Sequence, residues 1–210
     1  MNFYSDEQWL DWVERLSQDD YVIIDKFVPD DLYHKIRSFF QQHLLKNDFS
    51  KAGIGALSEY QIKNSIRGDF VYWLDKKRDT ELANFFQLVD HIIQKINELC
   101  YLSLSGFEFH LAHYPAGSFY KKHVDQFRNR NNRMITIIIY LNDHWLPGDG
   151  GELKIFKDSG KEILIEPVGG RCILFRSATL EHEVLITNKN RLSLTGWLLY
   201  QPSSVGYLLG

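Results

Sequence analysis

The chain has 210 residues, 44% of them hydrophobic and 14% aromatic, which is enough to bury a substantial core. A formal charge of -3, with the basic residues scattered apart from one short loop cluster, gives no general pull toward phosphate backbones, so nucleic acid is not the expected partner. Nothing at the N-terminus reads as a signal peptide and no apolar run approaches the roughly 20 residues of a membrane span, so a cytoplasmic protein without membrane contact is expected. Cys100 and Cys172 lie in apolar surroundings without CxxC spacing and read as buried, reduced thiols.

Ser5 with Gln8 fits a capping box, and Trp9, Leu10, Trp12, Val13 and Leu16 follow at roughly helical spacing. "YVIIDKF" (Tyr21 to Phe27) reads as a strand. "VPDD" then starts a second helix, with Leu32, Ile36, Phe39, Phe40 and Leu44 on one apolar face. From about Asn47 to Ile66 the sequence is polar and glycine-containing, a long loop of the kind that tends to carry function. "IRGDFVYWLD" returns to a strand, and between Asp79 and Cys100 the apolar residues repeat every three or four positions, which predicts the longest helix.

After Cys100 the period changes to two. "GFEFHLAHY", "RMITIIIYLN", "GELKIF", "KEILIEP", "GRCILF", "HEVLIT" and "RLSLTGWLLYQ" are short strands separated by turn residues. Seven or eight consecutive strands with no helix between them indicate an antiparallel sandwich or barrel. With the helices gathered on the N-terminal side, the expected class is α+β: a jelly roll, or double-stranded β-helix, buttressed on one face by helices. Residues 1–100 read as an extension packed on a core of residues 101–210, the whole forming one structural domain.

In "YKKHVDQF", His123 and Asp125 stand at i and i+2 of an extended segment and point to the same side. Taken alone, such a pair is more often a hydrated strand end than a metal site. His182, in "LEHEVL", changes that balance, because two imidazoles and one carboxylate make the facial triad that suits a non-haem Fe(II) with open positions, whereas zinc more often takes a closed tetrahedral set. Nine residues after His182, Arg191 heads a strand on which Ser193, Thr195 and Trp197 share its face. A guanidinium pointing into a barrel needs an anion, and a carboxylate gripped by two bonds is its natural match, with the Thr195 hydroxyl in reach of the same ligand. In "RMITIIIYLN", Thr136, Ile138 and Tyr140 share one face, so Tyr140 can reach the interior. The other histidines, His34, His43, His91, His110, His113 and His144, read as packing or surface residues, and the "QFRNRNNR" loop as a solvated hairpin tip in which only Arg133 has a specific case for touching substrate.

The order HVD, then H with R nine residues later, resembles the Fe(II)/2-oxoglutarate oxygenases, and in particular the prolyl 4-hydroxylase branch that includes the HIF prolyl hydroxylases and their bacterial relatives. "IRGDFVYW", "HYPAGSFYKKHVD", "RMITIIIYLNDHW", "GGELKIF" and "RLSLTGW" are similar to that branch's segments in the same order, over about residues 60 to 200. The resemblance implies that His123, Asp125 and His182 bind iron, that Arg191 pairs with the distal carboxylate of 2-oxoglutarate supported by Tyr140, and that Tyr114 and Thr195 lie beside the cosubstrate. It further implies substrate contacts for Arg67, Asp69, Tyr120, Arg133 and Trp197. The turn between Tyr114 and Tyr120 is one residue shorter than in the animal enzymes, and the flap around Lys51 to Lys63 matches only loosely. Those departures leave the iron chemistry intact and bear on the target.

The activity implied by the resemblance is hydroxylation of a prolyl residue of a protein or peptide, with 2-oxoglutarate and O2 consumed, succinate and CO2 formed, and ascorbate as a candidate reductant. By analogy with bacterial relatives, elongation factor Tu is a candidate target. Three other readings stand beside it. One is an oxygenase acting on a non-prolyl or small-molecule substrate. Another is a nucleic-acid demethylase, disfavoured because that group tends to carry a second arginine six residues after the first, where Trp197 stands here. The third is a catalytically silent jelly-roll binding protein, which would have no need to keep the full ligand set. Oligomeric state is not legible.

Overall fold

The structure is a computed structural model that describes residues 3–53, 65–126 and 132–200. The capping box closes as written: Ser5 accepts from the Gln8 backbone, the Gln8 side chain accepts from the Ser5 backbone, and α1 runs Asp6–Asp19. Trp9, Trp12 and Leu16 are its buried face, while Leu10, expected among them, is turned out to solvent. β1 is confined to Tyr21–Ile24, shorter than the expected run to Phe27, because the chain turns at Lys26, whose φ is +52°. α2 spans Asp30–Leu45 with Pro29 at its N-cap. β2 (Ser50–Lys51) and β3 (Phe70–Trp73) follow, and of the long loop expected between Asn47 and Ile66, residues 54–64 lie outside the described residues. The predicted long helix begins with a 3-10 turn over Thr80–Leu82 and continues as α3, Ala83–Cys100.

Eight strands then run with no helix between them among the described residues: β4 (Leu104–Tyr114), β5 (Tyr120–His123), β6 (Arg133–Tyr140), β7 (Leu153–Phe156), β8 (Glu162–Ile165), β9 (Cys172–Arg176), β10 (Glu181–Val184) and β11 (Arg191–Tyr200). They form two antiparallel sheets. The larger has the order β1-β9-β6-β11-β4-β3-β2, so three strands from the first hundred residues are hydrogen-bonded into it; the smaller has the order β5-β10-β7-β8. This is the expected α+β jelly roll buttressed by N-terminal helices.

Strand alternation sends each face of the large sheet into a different core. Phe109 and Leu111 of β4, Ile135, Ile137 and Ile139 of β6, and Leu192, Leu194 and Leu198 of β11 pack on the helices, together with Trp9, Ile36, Phe40, Phe85 and Ile92. The opposite parity, Ala112 and Tyr114 of β4 and Ile138 and Tyr140 of β6, packs against Leu153, Ile155 and Val184 of the small sheet. The second core does not close completely. Where β4 and β11 carry polar residues on that parity, it opens into a cavity.

Cys172 is buried and Cys100 partly so, and both are free thiols. No helix among the described residues is long and apolar enough to cross a membrane.

Candidate active site

His182 on β10 and His123 on β5 lie directly opposite each other across an antiparallel pair, with ring centroids 4.3 Å apart. Asp125 follows β5 and is tied down by its backbone N–H, which donates to the Ser177 carbonyl at 3.1 Å. The carboxylate faces both rings: His123 Nε2 is 3.4 Å from Oδ1 and His182 Nε2 is 3.7 Å from Oδ2. Ligand atoms from these three residues all lie within 4.8 Å of one another, the one such group of three among the described residues.

The donor chemistry fits a metal. Each histidine donates Nδ1–H to a backbone carbonyl two residues earlier, His123 to Lys121 at 2.7 Å and His182 to Leu180 at 3.0 Å, which fixes the tautomer and leaves both Nε2 lone pairs turned inward. Burial pushes the His182 pKa down to about 4, keeping it a neutral donor. Burial also works against the Asp125 charge, but His182 and the hydrogen bond with His123 outweigh it and hold the carboxyl well below the usual range. Behind the carboxylate, Thr136 Oγ1 donates to Asp125 Oδ2 at 2.9 Å and lies 2.8 Å from Ser177 Oγ, a hydroxyl chain that the sequence did not reveal.

The triad opens onto a cavity of about 710 Å³, within the usual range for ligand sites. β11 lines it with Arg191, Ser193, Thr195 and Trp197, the four residues predicted to share a face; β4 lines it with Glu108, His110, Ala112 and Tyr114. Arg191 is 1% exposed. Its Nε donates to the Gly151 carbonyl at 2.8 Å, and its guanidinium carbon sits 5.0 Å from the Tyr114 ring and 4.9 Å from the Tyr140 ring. Gly151 has φ +69°, and a Cβ there would come within 2.9 Å of Arg191 Cδ, so the cradle demands glycine. No carboxylate among the described residues pairs with Arg191. The Tyr140 hydroxyl, also buried, has no hydrogen-bond partner among the described residues.

Toward the other end, Arg67 grips the buried Asp69 with two hydrogen bonds, one of 2.7 Å from Nε to Oδ1, and lies over the Tyr120 ring at 4.3 Å. Tyr120 in turn stacks on His123 at 3.6 Å. Asp69 does not itself line the cavity; it holds Arg67, which does. Arg133 covers Trp197 at 3.4 Å and is bonded to Glu108 and to the Asp125 carbonyl. Arg128 and Arg130, assigned to a hairpin tip, lie outside the described residues. All the candidate residues except Asp69 and Tyr140 line the one cavity; Trp73, Glu108 and His110 line it too and were not singled out. The signal was present for two of them, since Glu108 and His110 share strand parity with Tyr114.

Residues 109–199 match the 2OG-Fe(II) oxygenase superfamily. The fold superimposes on a prolyl-4-hydroxylase from Pseudomonas putida with a TM-score of 0.84 and 32% identity, covering 92% of this chain and 100% of that one. The chain belongs to this superfamily, as an oxygenase of the prolyl 4-hydroxylase type. A prolyl hydroxylase from Trichoplax adhaerens, solved with a hypoxia inducible factor peptide fragment, is 26% identical with a TM-score of 0.82, over 92% of this chain and 89% of that one. At 22% identity, a prolyl 4-hydroxylase from Phytophthora capsici shares the fold, with a TM-score of 0.74 over 97% of this chain and 68% of that one. This oxygenase is therefore a 2-oxoglutarate-dependent dioxygenase, and its family implies Fe(II), 2-oxoglutarate and O2.

Proposed function

We propose that this oxygenase hydroxylates a prolyl residue of a protein or peptide, with succinate and CO2 as coproducts. In this reading His123, Asp125 and His182 hold Fe(II). Arg191, Tyr140, Tyr114 and Thr195 hold 2-oxoglutarate, and Arg67, Tyr120, Arg133 and Trp197 contact the peptide, with Asp69 acting through Arg67. The observation that carries it is the fully buried Arg191, without a carboxylate partner among the described residues, in the same cavity as the triad. A buried guanidinium without an anion is costly, so a carboxylate-bearing ligand belongs there.

Bound Fe(II) supplies the O2 activation coupled to decarboxylation that no side chain here can perform. The chain's own residues position and exclude. Nδ1 hydrogen bonds fix both imidazoles, and Thr136 fixes the carboxylate. Arg191 offers a planar fork to one end of the diacid, and Tyr140, behind the cavity wall, supports that guanidinium with its ring. Ile138, Leu153 and Val184 line the cavity with apolar surface that keeps water away from the reacting centre.

The test is succinate production by anaerobically iron-loaded protein given 2-oxoglutarate and air, with ascorbate as reductant. Proline-bearing peptides and elongation factor Tu, the target suggested by resemblance, are supplied in separate reactions. Succinate that rises only with a prolyl target, alongside a product heavier by one oxygen atom, is the expected result. Succinate unmoved by every prolyl target would shift the reading to a non-prolyl or small-molecule substrate, and none despite bound iron would overturn it.

A further inference from the structure

His110 has no role in the chemistry above, yet it stands in the cavity wall. It is directly opposite Trp73 on β3 and Thr195 on β11, and its ring lies between two indoles, 4.8 Å from Trp73 and 5.4 Å from Trp197. Neither of its ring nitrogens has a hydrogen-bond partner among the described residues, and Nδ1 is shut away from solvent. The residue lines the cavity, and Nε2, unlike Nδ1, is not among the fully buried atoms, so the edge toward the open space is the one carrying Nε2. Burial, with Arg67 nearby, pushes the pKa down to about 3, so the ring is neutral at any working pH and holds one N–H and one lone pair. A buried N–H is left unpaired less often than a buried acceptor, which places the proton on Nε2.

His110 is also remote from the cosubstrate anchor. Tyr114, against which Arg191 packs, is four residues further along β4, roughly 13 Å at the rise of a strand. That separation keeps His110 away from the Arg191 end of a bound diacid, and Thr195, directly opposite His110, marks where the diacid's side of the cavity gives way to the peptide's. The neighbouring indole N–H of Trp197 has no partner among the described residues either, but like His110 Nδ1 it is shut away from solvent. The donor this stretch of wall offers is therefore His110 Nε2–H. A prolyl residue has no N–H, so its own main chain presents only a carbonyl acceptor, and a neutral donor suits a neutral acceptor.

We propose that His110 is a specificity-determining residue whose neutral Nε2–H donates to a main-chain carbonyl of the bound peptide, beside the target proline. This rests on the prolyl-peptide reading above.

The experiment measures peptide binding without turnover. Protein loaded with Mn(II) and 2-oxoglutarate is titrated against a fluorescent proline-centred peptide, chosen from a panel as the tightest wild-type binder. His110→Phe keeps an aromatic ring between Trp73 and Trp197 and removes the N–H; His110→Gln places an amide N–H about where Nε2 stands. Phenylalanine should raise the peptide Kd by about 5- to 50-fold, and glutamine should stay within about 3-fold of wild type. Wild-type affinity in H110F would mean that the ring only packs, and equal losses in H110F and H110Q would mean that the hydrogen bond is not the cause; either overturns the proposal. Thermal midpoints on the same preparations identify misfolding. If H110F does not fold, His110→Asn against H110Q decides: asparagine puts its amide at the Nδ1 position and should lose the peptide, and equal binding by the two overturns the proposal. Wild-type protein that binds no prolyl peptide removes the prolyl reading and this inference together, whereas wild-type binding undiminished in H110F removes the inference alone.

Discussion

At one end of the cavity Arg191 is 1% exposed, fixed by a glycine carbonyl and set against two tyrosine rings, with no carboxylate among the described residues paired to it. At the other, Trp73 is 48% exposed, and Arg67 and Arg133 are already bonded to Asp69 and Glu108. In the proposed reading the first end is preorganised for one small diacid, at the cost of a buried guanidinium that no carboxylate among the described residues neutralises. The second satisfies its charges internally and presents rings and donors, an arrangement that tolerates variation in what it meets. Substitutions at the first end should abolish or sharply shift a single parameter, and those at the second should move peptide affinity in small steps.

The largest effect should come at the metal. Asp125→Ala should lower metal-dependent succinate formation by about 1,000-fold or more. Its thermal midpoint should fall by no more than about 4 °C, because Thr136 keeps its bond to Ser177 and the carboxylate lines a cavity. Turnover and a melting curve on one preparation check both. Arg191→Lys should raise the 2-oxoglutarate KM by about 10- to 100-fold, since a single ammonium cannot reproduce the two-bond fork. An unchanged KM would place the diacid elsewhere and dissolve the contrast between the two ends.

Thr136→Val removes the hydrogen bond to Asp125 Oδ2 and should weaken Mn(II) binding by about 10-fold or more, read by titration followed with electron paramagnetic resonance. At the entrance, Arg67→Ala strands the buried Asp69 and should destabilise folding by about 3 kcal/mol in urea, while the Arg67→Ala, Asp69→Ala double variant should recover part of the loss. Smallest of all, Glu108→Gln should change the peptide KM by less than about 3-fold, because the pair with Arg133 is partly solvated and a neutral amide still accepts.

Much of this was written in the strand period. Alternation placed Arg191, Ser193, Thr195 and Trp197 on one face and set Tyr140 inward, and the HxD spacing with a later histidine named the triad. The Thr136–Ser177 chain was not legible, because it joins β6 to the turn after β9 through a contact no local pattern encodes. The sequence reads His110 as a packing residue among bulky apolar neighbours; its two indole contacts and its unpartnered nitrogen become visible only when β3 and β11 are laid against β4. Element ends moved for local reasons, as where a left-handed Lys26 stops β1 early.

The five tryptophans are unevenly placed. Trp9 and Trp12 are buried with the helices and Trp145 lies under Lys189, all outside the cavity wall, whereas Trp73 is half open at its mouth and Trp197 sits beneath the Arg133 guanidinium. The protein thus carries its own optical probe: a peptide that covers Trp73 should shift its emission to the blue, and Trp73→Phe should silence that signal. Diacid bound at Arg191 should leave the emission wavelength of Trp73 where it was, so the two binding events can be timed separately in a single unlabelled sample.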